Sequence, residues 1–404
     1  MSDTAYNYCA LPLAPYACRP DQSRGRVYEE SESKHRTCFQ RDRDRIIHSS
    51  AFRRLKYKTQ VFIYHEGDHY RTRLTHTLEV AQITRSMARA LLVNEDLAEG
   101  IALAHDLGHT PFAHLGEYAV QDCMEPYGGF DHNDQSLRIL TTLEEKYPKW
   151  KGLNLTWETL EGVAKHNGPL ITPDNKDMPL SETLDHLQDQ IDLRLDTFAS
   201  LEAQVAALSD DIAYNNHDVE DGLRAGLFTL DDLKDIPLLG RHILHVKKNY
   251  PDIEEKILIQ EIIREMIGSM VTDVLEESNK RINDLSPKNC DDIRAGKSAC
   301  VAFSDGMYND VQYLREFLFD RMYRHVSLNR LGFKVSRILH DLFEAFMISP
   351  EMLPQKWQDR LESEGAIDDQ HKRARHVCDY IAGMTDRFAI REHEELFHVA
   401  LDVK

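Results

Sequence analysis

The sequence predicts an all-α fold on three observations. From about Ile46 onward apolar side chains recur at helical spacing, the two-residue alternation of strands is nearly absent, and residues that favour helix ends bracket the periodic stretches. No internal repeat is visible, and no linker divides the 404 residues.

The elements follow in chain order. Residues 1–23, prolines at 12, 15 and 20 among them, read as an N-terminal arm. Residues 24–45 are dense in alternating charge, with RDRDR at 41–45, and read as a solvated face or as part of a basic zone. Val80, Ile83, Met87 and Leu91 follow His76 at 3.6-residue spacing, which predicts an amphipathic helix with His76 on its apolar side. Asp96 is the expected cap of the next helix, which carries Ala98, Ile101 and His105 on one stripe and stops at Gly108. Thr110 and Pro111 then read as a cap and a first-turn proline, opening a short helix with His114 and Glu117 on one face. Gly128–Asn133 and Gly168–Pro179 are expected loops. Leu201, Val205, Leu208 and Ile212 form the apolar stripe of a later helix, and Asp210, Tyr214, His217 and Asp218 fall on its opposite face. Further helices are expected over 230–247, 251–280, 308–347, 355–363 and 369–403.

Composition narrows the function. Hydrophobic residues at 42% and charged ones at 29% fit a chain that buries a large core. No apolar run reaches the roughly 20 residues of a membrane span. Residues 1–20 lack the basic start and apolar middle of a secretion signal, so a cytoplasmic location is expected. The seven cysteines show no CxxC spacing, which argues against a zinc ribbon or a disulfide framework. A net charge of -19 argues against a general nucleic-acid coat. Yet residues 21–73 hold 13 Lys and Arg against 8 Asp and Glu, a local basic zone suited to a small polyanion, with Arg53, Arg54, Lys56 and Lys58 at its densest point.

Eight of the 20 histidines (65, 69, 76, 105, 109, 114, 132 and 166) fall within about a quarter of the chain. His76 alone is better explained as a hydrogen-bonded core residue than as a ligand. Its company changes that: His105 and Asp106 are adjacent at a helix end, with His109, His114 and Glu117 close behind. Adjacent residues on a regular helix point about 100° apart, so both can reach one ion only where the helix stops. Imidazole and carboxylate ligands without nearby thiolates suit a divalent ion, Mg²⁺ or Mn²⁺ first, with Fe²⁺, Co²⁺, Ni²⁺ or Zn²⁺ as alternatives.

The order His76, His105-Asp106, Asp210 resembles the H…HD…D signature of the HD superfamily of phosphohydrolases. The dipeptide is weak evidence, but the blocks around it are specific. QRDRDRIIHSSAFRRLKYKTQVF (40–62), HYRTRLTHTLEVAQI (69–83), HDLGHTPFAHLGE (105–117), GGFDHNDQSLRIL (128–140), LTWETLEG with KHNG (155–168) and SDDIAYNNHDVEDG (209–222) resemble the bacterial dGTPase-like deoxynucleoside triphosphate triphosphohydrolases. The likeness is dense over about 22–225 and looser to about 390. It implies an HD-domain core over 24–225 and a helical C-terminal region, 226–404, packed on it as one continuous domain.

The resemblance implies His76, His105, Asp106 and Asp210 as metal ligands and water attack on the α-phosphorus of a dNTP, giving a deoxynucleoside and tripolyphosphate. His114, oriented by Glu117, is the expected acid for the departing oxygen, with His109 and His132 contacting phosphate or completing a proton relay. Gln60 and Arg73 match positions near the sugar and α-phosphate. Tyr214, Asp218 and, in FDRMYRH (319–325), Tyr323 match sugar-facing positions, and Arg321 and Arg324 are candidate phosphate or subunit contacts. In some branches a phosphate-binding lysine follows the last metal aspartate; Asp211 stands there in this chain. A homo-oligomer, a hexamer above all, is implied, in some members with an activating nucleotide at subunit contacts. Base preference and binding of single-stranded DNA are not read from these motifs. The alternatives are another HD phosphohydrolase acting on a nucleoside monophosphate, cyclic dinucleotide or alarmone, and a non-catalytic nucleotide-sensing regulator.

Overall fold

The computed structural model describes residues 12–60 and 71–398. His65 and His69 of the histidine-rich stretch, and the first half of the expected arm, lie outside the described residues. The chain runs through α1 (Cys38–Ile47), α2 (Ser50–Arg54), α3 (Arg73–Ala90), α4 (Glu95–Ala104), α5 (Ala113–Met124), α6 (His132–Arg138), α7 (Trp157–Lys165), α8 (Glu182–Gln190) and α9 (Leu201–Arg224). It continues through α10 (Leu230–Leu233), α11 (Pro237–Asn249), α12 (Glu255–Leu285), α13 (Cys290–Arg294), α14 (Asp305–Leu318), α15 (Val326–Ile348), α16 (Gln355–Ser363), α17 (Gln370–Ala382) and α18 (Asp386–Phe397). Among the described residues no strand forms, only three isolated β-bridges. The fold is all-α, as the periodicity predicts.

Two apolar cores organise these helices. In the first, α4 is the central rod: Leu97, Ala98, Ile101, Ala102, Leu103 and Ala104 are all buried, the pattern of a helix surrounded on every side. It packs against α1, α3, α7 and α9. The second core joins Ala119, Val120 and Met124 of α5 to Val335, Leu339, Leu342 and Phe346 of α15 and to Val377, Cys378 and Ile381 of α17. The segment from His105 to Ala113 leaves the first core at Leu107 and enters the second at Phe112. The candidate site residues between those two points stand where the cores meet.

Several local expectations change. The cap of α4 is Asn94, whose side chain accepts the Leu97 N–H; Asp96 sits in the first turn and binds Arg43 at 2.5 Å. Gly108 is not a left-handed stop. A side chain there would collide with α6, its Cβ falling 2.1 Å from the His132 carbonyl oxygen. Thr110 and Pro111 precede α5 rather than opening it, and Phe112 and Ala113 both take positive φ, 65° and 57°. The loop expected to end at Asn133 stops earlier, because Asp131 caps α6 by accepting the Asn133 and Asp134 N–H groups. The spans expected at 230–247, 308–347 and 369–403 are each broken into successive helices.

Within the charged stretch, Lys34, His35 and Arg36 are exposed, but RDRDR (41–45) is not a solvated face. Asp42 is buried, bonded to Arg26 at 2.5 Å and to the Thr156 and Thr159 hydroxyls, while Arg45 reaches the Leu153 carbonyl and Glu30. Carboxylate and guanidinium are paired and hydrogen-bonded, which is what permits their burial. The described end of the arm also lies against the body: Ala14, Ala17 and Cys18 are buried, and the Cys18 N–H donates to Glu202.

Candidate active site

His76 comes from the first turn of α3, His105 and Asp106 from the end of α4, and Asp210 from the middle of α9. His105 is the last residue with helical backbone bonding on α4; tight turns follow, with Leu107 N–H to Ala104 O and His109 N–H to Asp106 O. That termination brings neighbouring side chains together. His105 Nε2 lies 3.4 Å from Asp106 Oδ1 and 3.5 Å from Asp210 Oδ1, and His76 Nε2 lies 2.9 Å from Asp210 Oδ1 and 3.8 Å from Asp106 Oδ2. His76, His105 and Asp210 offer three ligand atoms within 4.8 Å of one another, as do His109, His114 and Glu117, and Glu117, Asp131 and His132.

Hydrogen bonding shows which atoms are free for a metal. His105 Nδ1 is 2.7 Å from the Ala102 carbonyl, so the proton belongs on Nδ1 and the lone pair on Nε2. That buried Nε2 has no hydrogen-bond partner among the described residues and faces two carboxylates. Leaving such a lone pair against buried anions costs on the order of several kcal/mol. Burial would lower the basicity of His105, but Asp106 and Asp210 override it and push its pKa up to about 9. The pocket therefore calls for positive charge at Nε2, and a divalent cation meets that demand with the nitrogen and oxygen donors present.

A second cluster lies beside the first. Glu117, one turn along α5 from His114, receives His114 Nδ1 on Oε2 at 3.2 Å and His132 Nδ1 on Oε1 at 2.6 Å. Against the upward push of burial, these bonds hold the Glu117 carboxyl well below the usual range. His109 stacks on His132, ring centroids 4.0 Å apart, and reaches Asp106 Oδ1 at 3.1 Å, which makes it the link between the clusters. Burial, then the nearby Arg73 charge, hold His109 well below its ordinary pKa. His114 is the most exposed of the three imidazoles and lines the open cavity.

That cavity, about 450 Å³, is walled by His114, Asp210, Tyr214, Asp218, Arg315 and Tyr323, with Phe319 at its edge. Tyr214 and Tyr323 join hydroxyl to hydroxyl at 2.5 Å, and Tyr323 also donates to Asp218. A π-helical turn, Phe319–Tyr323, ends α14; its larger number of residues per turn lets Leu318, Phe319 and Tyr323 face one space. Burial pushes the Asp218 carboxyl up to about 8. Asp218 is buried, so this stretch of α9 is not a solvated helix face.

The remaining expected residues divide. Arg73 is buried with Nη1 on Asp106 Oδ2 at 2.8 Å, leaving Nε and Nη2 without partners among the described residues. Gln60 is buried, and its Oε1 makes no hydrogen bond among the described residues. Of the basic quartet, Arg53 and Lys56 are exposed, while Lys58 is buried beneath the site and donates to the His109 and Ala382 carbonyls. Arg321 pairs with Asp232 and Arg324 lies near Asp320, and neither lines the cavity. Arg315 does, bound to Asp211 at 2.8 Å, and so brings a cation to the very position where a lysine was missing. Sequence reasoning also gave no role to Glu79 and His217, which stand directly behind His76. Their spacing was a usable signal: Glu79 is one turn from His76, and His217 two turns from Asp210.

Comparison with known proteins agrees with this architecture. Residues 73–215 match the HD domain family and residues 301–395 the phosphohydrolase-associated domain. The first of these spans all four clustered His and Asp residues, and the chain is an HD-domain phosphohydrolase. Among relatives, a deoxyguanosinetriphosphate triphosphohydrolase-like protein of Parvibaculum lavamentivorans is 54% identical over 384 residues, 95% of this chain and 96% of the relative. One from Caulobacter vibrioides is 55% identical over 96% of this chain and 97% of its own length, and one from Bradyrhizobium diazoefficiens 50% identical over 98% and 99%. The chain belongs to the family of deoxyguanosinetriphosphate triphosphohydrolase-like proteins. No helix among the described residues is long and apolar enough to cross a membrane.

Proposed function

We propose that this chain hydrolyses deoxynucleoside triphosphates to a deoxynucleoside and tripolyphosphate, using His76, His105, Asp106 and Asp210 to hold a divalent metal, Mg²⁺ or Mn²⁺ first. The observation that carries the proposal is convergence: Asp210, His114 and the Tyr214–Tyr323–Asp218 hydrogen-bond chain all face one cavity. The name of the relatives supports the same substrate class.

When bound, a divalent ion supplies polarisation of the α-phosphate and a lower pKa for the attacking water. The protein does the rest. Arg73, with two free donor atoms beside Asp106, binds α-phosphate oxygen, and Arg315 at the cavity wall holds the distal phosphates. His114 gives its Nε2 proton to the departing 5′ oxygen, while Glu117 on Nδ1 fixes the ring and supports its charged form. His132 shares Glu117 from behind and holds its carboxylate in place, solvent in the open cavity returns the proton to His114 Nε2, and His109 couples this pair to Asp106. Tyr214 and Tyr323, tied to each other and to Asp218, form a wall close enough to a bound sugar to exclude a 2′-hydroxyl, with Gln60 completing the pocket near the sugar.

The test is incubation with each dNTP, singly and in mixtures, with Mn²⁺ or Mg²⁺ and analysis of products. Tripolyphosphate and deoxynucleoside are expected; deoxynucleoside monophosphate with pyrophosphate would overturn the reading.

A further inference from the structure

Behind the cluster of His and Asp residues lies a second line of polar contacts that the proposed reaction does not use. His76 Nδ1 is 3.0 Å from His217 Nδ1. On the far side of the His217 ring, Nε2 bonds Glu79 Oε2, and Glu79 is approached in turn by Arg71 Nε at 3.6 Å. Arg71 also binds Glu220 and, at 3.1 Å, Asp221 of α9. His76 and His217 are both buried, and their rings meet edge to face.

Two nitrogens at 3.0 Å form a hydrogen bond only if one carries the proton and the other a lone pair. A carboxylate accepts and does not donate, so Glu79 requires a proton on His217 Nε2. In the neutral ring His217 Nδ1 is then the acceptor and His76 Nδ1 the donor. A carboxylate 2.9 Å away would itself call for a proton on His76 Nε2, so this tautomer, with the lone pair on Nε2, is the one that holds when a cation lies between Nε2 and Asp210.

We propose that His217, anchored by Glu79, is a positioning residue for metal binding: by accepting the His76 Nδ1 proton it fixes the tautomer and the ring orientation in which His76 Nε2 can ligate. The inference rests on the metal-site reading above. His105 is set by a backbone carbonyl, which no substitution removes; His76 is set by a side chain, and is the ligand whose readiness can be altered by mutation. Partners behind a ligating imidazole typically change metal affinity by roughly 10- to 100-fold when removed.

The experiment is titration of the metal-free full-length chain with Mn²⁺ alone, by calorimetry and by the loss of the free-ion paramagnetic resonance signal, with no nucleotide present. His217→Leu keeps apolar bulk and removes the acceptor, and is expected to weaken Mn²⁺ binding by roughly 10-fold or more. His217→Gln can accept from His76 through Oε1 and donate to Glu79 through Nε2, and is expected to bind within about threefold of the parent chain. Glu79→Ala, on a half-exposed side chain, is expected to weaken binding several-fold with the metal-free melting temperature unchanged. Equal loss in the Leu and Gln variants would show a packing role and overturn the proposal, as would parental affinity in His217→Leu. If His217→Leu does not fold, the Gln and Glu79→Ala variants decide: parental affinity in Glu79→Ala, or a large loss in Gln, overturns it. Failure of the parent chain to bind Mn²⁺ overturns the metal-site reading itself and is seen separately.

Discussion

The His76/His105/Asp106/Asp210 cluster and the His109/His114/Glu117/His132 cluster use the same two side-chain types, share the His109–Asp106 contact, and differ in one respect. In the second, each Glu117 oxygen meets a histidine nitrogen of its own. In the first, the protons are turned outward, to Ala102 and His217, so lone pairs are turned inward against carboxylates. On the proposed function, the arrangement with protons pointed at a carboxylate suits holding and moving a proton, and the one with protons pointed away suits a metal. Second partners, more than the ligand list, divide the labour between neighbouring clusters.

That contrast predicts separable failures. Asp106→Ala removes the carboxylate common to His76, His105, His109 and Arg73, and is expected to abolish Mn²⁺ binding and lower turnover by about a thousandfold or more, read by calorimetry and by product analysis. A variant retaining most of its turnover would show that the first cluster is not the reaction centre. Glu117→Gln should leave Mn²⁺ affinity nearly intact while lowering kcat by roughly 100-fold, since only the second cluster loses its proton anchor. If metal affinity fell with kcat, the two clusters would be one unit and the division above wrong.

Smaller effects sharpen the boundary with the sugar wall. Tyr323→Phe breaks the chain between Tyr214 and Asp218 and is expected to cost roughly tenfold in kcat/KM for a dNTP while narrowing the gap to the matching ribonucleotide, as measured by parallel kinetics. The smallest effect concerns stability. Burial pushes the Asp218 carboxyl up to about 8, above its ordinary 3.8, so an unfolded chain releases a proton that the folded chain keeps. Stability is therefore lost as pH rises between those values, and Asp218→Asn removes the loss. Its melting temperature should exceed that of the parent by roughly a few degrees near pH 8 and by much less near pH 5. A gap that does not grow with pH would mean that Asp218 is not the group responsible.

The all-α fold and much of the site were legible because they are local or patterned: His76 and the α3 stripe share one period, His105 and Asp106 are adjacent, and His109, His114 and Glu117 follow closely, whereas Asp210 and His132 were placed by the family resemblance. Helix ends were less legible. The caps at Asn94 and Asp131 and the left-handed Phe112–Ala113 pair depend on what packs nearby, and Gly108 looked like a stop when the demand on it comes from α6, more than twenty residues on. The RDRDR stretch misled because its partners, Glu30, Asp96 and Thr156, lie on other segments. Arg315 left no trace near the HD motif, since only the packing of α14 on α9 brings it to Asp211.

Phe112 and Ala113 hold a backbone conformation that costs roughly 1–3 kcal/mol per residue. It is sustained from far along the chain. Asp386 accepts the Phe112 N–H with one oxygen and the Thr59 N–H with the other, at 2.9 Å each, while Lys58 bonds the His109 and Ala382 carbonyls. The turn that delivers His109 and His114 is thus pinned by residues some 270 positions later. A protein engineer seeking a minimal catalyst by cutting after the last aspartate of the motif would keep every named ligand and lose the clamp that aims the acid. Recombination between relatives meets the same constraint: segments on either side of such a crossover must be inherited as a matched pair.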